Sequence, residues 1–76
     1  MYCIKKGETM NNKAIGRNIQ KYRLMKGLSQ AEFAQLLGVT GSYVGKIEAG
    51  MVDLPLGKVQ EISAVLNVNA GALTTF

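Results

Sequence analysis

The sequence predicts an all-α fold, a compact domain of five short helices. Three observations predict it. Apolar residues recur at helical spacing, as at Ile15, Ile19 and Tyr22. Glycines at 27, 38 and 50, together with cap-forming residues at Ser29 and Thr40, cut that pattern into short segments. No segment alternates apolar and polar residues as a half-buried strand would.

The elements follow in order. Residues 1–12 read as an irregular, flexible N-terminal segment, and the folded domain is expected over 13–76. Met10 is a candidate native start. The Lys-Lys-Gly-Glu-Thr before it can be encoded by purine-rich codons containing GGAG, the form of a bacterial ribosome-binding site, so residues 1–9 can be upstream sequence read through. An intact mass beginning at Met1, measured on protein made from its own gene, would exclude this. The first helix is expected from Lys13 to Lys26, with Ile15, Ile19 and Tyr22 on one face and Gly27 as its stop. Ser29 followed by Glu32 is a capping box, in which the serine hydroxyl accepts from the Glu32 amide and the Glu32 carboxylate returns to the Ser29 amide. The second helix then runs through Leu37, with Phe33, Ala34 and Leu37 inward, Gly38 ending it and Leu28 stapling its entry.

Thr40 is the expected N-cap of a third helix over 41–48, with Val44 and Ile47 inward and Gly50 as its stop. Residues 51–54 read as a loop, and Met25 and Met51 as gap-fillers or exposed residues. Pro55 suits the first turn of a fourth helix, where its missing amide costs nothing. Leu56, Val59, Ile62, Val65 and Leu66 give that helix its apolar face, and Asn67 its C-terminal cap. Asn69 opens a last short helix carrying Leu73 and ending near Phe76. Leu73 and Phe76 either close the core or form a dimer contact; for Phe76 the dimer reading is preferred, because a terminal aromatic has few intramolecular neighbours.

Composition narrows the function classes. A chain of 76 residues is one domain, and a domain this small buries only about 60% of the surface its unfolded chain exposes. Cys3 is the single cysteine and there is no histidine, so neither an intrachain disulfide nor a usual zinc site can supply the missing stability. Self-association is the expected source. No apolar stretch is long enough to span a bilayer, and Met1 to Met10 lack the apolar run of a signal peptide; a soluble, cytoplasmic protein is expected. No cofactor and no catalytic constellation is visible, since histidine is absent and the five acidic residues form no cluster. Net charge is +4, and seven of the nine basic residues fall between Lys5 and Lys26, opposed there only by Glu8. Such a one-sided basic segment suits a polyanion.

The spacing around Gly38 is that of a helix-turn-helix: a helix, a very short turn, and a second helix capped by Thr40. Ala34 is small enough for close crossing, Gly38 accepts the turn, and Val39 and Val44 plug the angle between the helices. Residues 27–50, GLSQAEFAQLLGVTGSYVGKIEAG, resemble the signature of the phage repressor and Cro family, also called XRE-like, and the resemblance extends from about Ile15 to Leu73. It implies a five-helix, lambda-repressor-like domain that binds a double-stranded DNA operator as a homodimer. It also implies roles for residues. Gln30, with the amides beside it and Ser29 before it, anchors the DNA backbone, and Gln30 can also touch an outer base. Gly41, Ser42, Tyr43 and Lys46 fall where the family reads base edges or neighbouring phosphates, and Arg23 with Glu48 matches a structural ion pair. Ala49 and Gly50 match a loop whose amides approach the backbone.

The residues themselves agree in part. The N-terminal end of a recognition helix enters the major groove first, which points to Gly41, Ser42 and, one turn on, Lys46. Lysine can pair with guanine O6 and N7, and serine can donate or accept. Gly41 and Gly45 depart from the family by removing reading side chains, which shifts affinity toward phosphates and DNA shape. The loop after the third helix carries no basic residue, which shifts backbone anchoring toward Arg17 and Lys21. The same departures motivate an alternative, a protein-interaction module or antitoxin with little DNA binding of its own. RNA polymerase or a regulatory protein are further partners the fold class allows.

Overall fold

The computed structural model describes residues 12–74, arranged as five α-helices: α1 (Asn12–Met25), α2 (Gln30–Leu37), α3 (Gly41–Glu48), α4 (Leu56–Leu66) and α5 (Ala70–Thr74). The expectations for residues 1–9, for Cys3 and for Phe76 lie outside the described residues. No strand occurs among those described, and no helix is long and apolar enough to cross a membrane.

Each helix contributes a narrow apolar stripe to one core. Ile15 and Ile19 enter it from α1, Phe33, Ala34 and Leu37 from α2, Val44 and Ile47 from α3, Val59, Ile62 and Leu66 from α4, and Leu73 from α5. Full burial of each large aliphatic side chain contributes about 1.5–3 kcal/mol before the entropy of ordering it. Leu28 and Val39 pack half-buried against this cluster.

The helix ends follow their capping chemistry. At the start of α2 the Ser29 hydroxyl accepts from the Glu32 amide at 3.0 Å, and the Glu32 carboxylate accepts from the Ser29 amide at 2.9 Å. Gly38 closes α2 in the left-handed region (φ +75°), with the Val39 amide donating back to the Ala34 carbonyl. The Thr40 hydroxyl accepts from the Tyr43 amide at 3.1 Å and starts α3. Asn67 ends α4 with φ +56°, and α5 is tied to α1 by the Asn18 side-chain amide donating to the Leu73 carbonyl at 2.8 Å.

The structure corrects the sequence reading at several points. Helix α1 begins at Asn12, inside the segment expected to be irregular, where its side-chain amide donates to the Asp53 carboxylate. Pro55 is the N-cap of α4 and lies outside the first turn; its carbonyl accepts from the Lys58 and Val59 amides while its own ψ of 156° stays extended. Leu56 is exposed and Leu54 is buried in its place. Leu73 is fully buried within its own chain, which leaves none of its side chain for a dimer contact. Of the two alternatives for Leu73, closing the core is the one observed.

One contact could not be placed from the sequence. At Gly16, in the middle of α1, an added Cβ would lie 2.3 Å from the Ile47 carbonyl oxygen and 2.8 Å from that of Glu48. The last turn of α3 therefore lies directly on the α1 backbone. Gly50 makes a similar approach to Lys13, 2.8 Å from a would-be Cβ to the Lys13 Cα.

Candidate nucleic-acid interface

Helix α3 is divided by its own periodicity. Val44 and Ile47 are buried, while Ser42 and Lys46 are exposed on the other side. Tyr43 is half-buried and packs against the core, so part of its ring is committed to the fold. Gly41 and Gly45 are one turn apart and both face α2: a Cβ at 41 would lie 3.9 Å from the Ala31 Cα, and one at 45 would lie 3.8 Å from the Gln30 side-chain nitrogen. The two glycines therefore lie along the seam between α2 and α3.

The start of α2 lies beside this outward face. Ser29 and Gln30 are exposed. The Ser29 oxygen accepts from the Glu32 amide within the capping box. The amides of Gln30 and Ala31 occupy the first two helical positions, where no carbonyl lies behind them in the helix. With the helix dipole they form a surface that favours anions. The Glu32 carboxylate is turned back onto Ser29. Bonds from the Ser29 amide and hydroxyl hold it below the ordinary glutamate range, so it stays ionised at neutral pH.

Behind the seam sits a buried ion pair. Arg23 Nε donates to Glu48 Oε2 at 2.6 Å and Arg23 Nη2 to Glu48 Oε1 at 3.2 Å, with 7% and 4% of the two side chains exposed. A third guanidinium bond, Nη1 to the Leu28 carbonyl at 2.7 Å, fixes the α1–α2 turn. The pair joins the ends of α1 and α3 to the loop that precedes α2. The family resemblance implies the pairing of Arg23 with Glu48 but not a further bond: Gln30 Nε2 donates to Glu48 Oε1 at 3.1 Å. No spacing rule connects residues so far apart on different helices; Gly45 lies beside the Gln30 amide, 3.8 Å from its nitrogen to a would-be Cβ.

The remaining basic residues stand apart from this cluster. Arg17 and Lys21 are exposed on α1, and the Lys21 ammonium lies 5.6 Å from the centroid of the Tyr22 ring. Lys13, one of the seven basic residues of the N-terminal segment, packs along Gly50 in the loop that follows α3. Ala49 is exposed and Gly50 half-buried in that loop. Among the described residues, no group of three or more histidine, cysteine or acidic side chains could hold a metal ion.

Comparison with known proteins places this arrangement. The helix-turn-helix family model matches residues 19–73. The uncharacterized HTH-type transcriptional regulator YazB of Bacillus subtilis is 38% identical over 58 residues, covering 76% of this chain and 84% of YazB. SinR of the same organism, also an HTH-type transcriptional regulator, is 38% identical over 60 residues; that match covers 78% of this chain and 54% of SinR, so the chain spans about half of that relative. Among solved structures, the restriction-modification controller C.AhdI from Aeromonas hydrophila superposes with a TM-score of 0.77 at 30% identity, over 83% of this chain and 91% of the controller. A structure of the biofilm regulator SinR in complex with DNA superposes with a TM-score of 0.72 at 37% identity, over 80% of this chain and 98% of that one. With its motif, its five helices and these relatives in agreement, the chain belongs to the XRE-type helix-turn-helix family, transcriptional regulators built on a DNA-binding fold.

Proposed function

We propose that the chain binds a specific, two-fold operator as a homodimer, with α3 in the major groove of each half-site and the start of α2 on the flanking backbone. The observation that carries the reading is the division of α3: Ser42 and Lys46 stand outward beside the exposed start of α2, while Val44 and Ile47 are buried. Such a surface presents donors to base edges and amides to a phosphate together. The likeness to SinR in complex with DNA supports the same orientation. In this reading Gln30 and Ser29 anchor the backbone, Ser42 and Lys46 read bases, and Tyr43 reaches a thymine methyl or a phosphate with the part of its ring that the core leaves free. Arg17 and Lys21 add phosphate contacts, and Gly41 lets α3 lie close to the groove wall. Phe76, with Leu73 committed to the core, is the remaining terminal candidate for the dimer contact. The protein acts where DNA is, in the cytoplasm, and regulates by blocking or touching RNA polymerase.

Selection of bound duplexes from a random pool tests this. The expected result is a palindromic consensus whose half-sites lie about 34–36 Å apart on one face of the DNA. Titrations should show affinity falling steeply with salt and exceeding random DNA by about three orders of magnitude or more. No binding even at low salt would overturn the reading.

A second reading has its own observation. Leu24, Met25, Leu36, Met51 and Leu56 are all exposed large apolar residues, and two of the eight α3 positions are glycine. These features suit a protein-interaction module or antitoxin that keeps the fold and binds DNA weakly. The same titration separates the two readings.

A further inference from the structure

Gln30 is a long side chain at the exposed start of α2, and a long side chain loses rotamer freedom when a ligand immobilises it. Here that ordering is built into the free protein. Gln30 Nε2 donates to Glu48 Oε1 at 3.1 Å. Glu48 is itself fixed, because both its oxygens accept from Arg23, and Arg23 is fixed in turn by the Leu28 carbonyl. The exposed amide is thus attached to a buried, rigid group.

The charge balance matters as much as the geometry. A bare carboxylate beneath a phosphate contact would repel it. The Arg23 guanidinium neutralises Glu48, so the group holding Gln30 carries no net charge toward the polyanion. One N–H of the Gln30 amide is used on Glu48. The other N–H and Oε1 remain, which suffices to donate to a phosphate or to donate and accept at an adenine edge.

Gly45 completes the arrangement. A Cβ there would lie 3.8 Å from Gln30 Nε2 and 3.9 Å from Gln30 Oε1, ordinary contact distances, so atoms extending from it toward α2 would meet the Gln30 amide. A larger side chain would compete with the Gln30 amide for its place. We propose that Glu48 and Gly45 are positioning residues for the DNA anchor Gln30, Glu48 by holding its amide and Gly45 by leaving the space the amide occupies. This rests on reading Gln30 as a DNA contact.

Two measurements on the full chain test the proposal. In the free protein, nitrogen relaxation of glutamine side-chain amides should show Gln30 markedly more ordered than the exposed Gln20, Gln35 and Gln60. A Gln30 amide as mobile as those three would overturn it. The second measurement is a double-mutant cycle, read as affinity for a duplex enriched from a random pool by the native chain. Gly45→Leu should weaken binding about tenfold when Gln30 is present and less than about twofold in a Gln30→Ala background. Equal losses in both backgrounds would overturn the coupling. If the native chain binds no DNA, the proposed function fails, while the relaxation measurement still decides whether Glu48 holds the amide.

Discussion

At Gly16 a hydrogen atom stands where any other residue would place a carbon against two backbone carbonyls of α3. Carbonyls at a helix end cannot swing aside as a flexible side chain can. Gly16→Ala should therefore destabilise the fold by about 1–3 kcal/mol, although alanine is the better helix former, measured as a lower denaturant midpoint. A neutral or stabilising result would mean that α1 and α3 do not meet there. The Arg23–Glu48 pair is the other residue-scale control point. Removing one partner strands a buried charge, so Arg23→Ala should cost about 3–5 kcal/mol in urea unfolding. Its effect should exceed that of Lys58→Ala, which breaks an i,i+3 pair at the surface worth at most about 1 kcal/mol.

Each element is started by chemistry local to its first turn, and α2 shows it most fully. Its capping box satisfies two amides reciprocally, and Ser29→Ala should cost about 1 kcal/mol. The Glu32 half of the box titrates. The folded-state pKa of Glu32 is lowered, so its contribution is present above the unfolded value of about 4.3 and is lost as pH falls through the lower folded value. The stability difference between the native chain and Glu32→Gln should accordingly be constant near neutrality and shrink in acid below about pH 4. A difference that does not change with pH would exclude the carboxylate's role in the cap. Helix α4 starts differently, with Pro55 as a cap without a side-chain bond. Periodicity extended into its first turn assigned Leu56 to the core. The local rule failed at this boundary: Pro55 is extended, and Leu54 before it is the residue buried against the core.

On the scale of the whole molecule, the short α5 is the closing piece. Leu73 is fully buried and its carbonyl is latched by Asn18 from the first helix. Leu73→Ala should cost about 2–5 kcal/mol, and the loss should persist on dilution, because the cavity forms inside one chain. A loss that vanished on dilution would return Leu73 to a dimer interface. The DNA reading also has its test at this scale, since it concerns the summed field of the chain. Lys46→Ala should weaken binding to the preferred site by about 1–3 kcal/mol and relax discrimination at one base position. A uniform loss on all sequences would make Lys46 a phosphate contact.

Most helices and their caps were legible in the sequence, because they depend on residues within a turn of one another: Ser29 with Glu32, Thr40 with Tyr43, Gly38 after Leu37. The sequence by itself also determined most of the core, whose stripes repeat at helical period, and the exposed positions Ser42, Lys46 and Gln30 that make up the candidate interface. Tertiary structure alone decided what happens where distant segments meet. The exchange of Leu56 for Leu54, the burial of Leu73, the contact at Gly16 and the bond from Gln30 to Glu48 each depend on the relative placement of two elements. The three-dimensional crossing of helices fixes that placement, and no local pattern encodes it. The segment around Gly38 thus holds two kinds of information: a turn written in adjacent residues, and a seam between α2 and α3 whose glycines acquire their meaning only from the helix beside them.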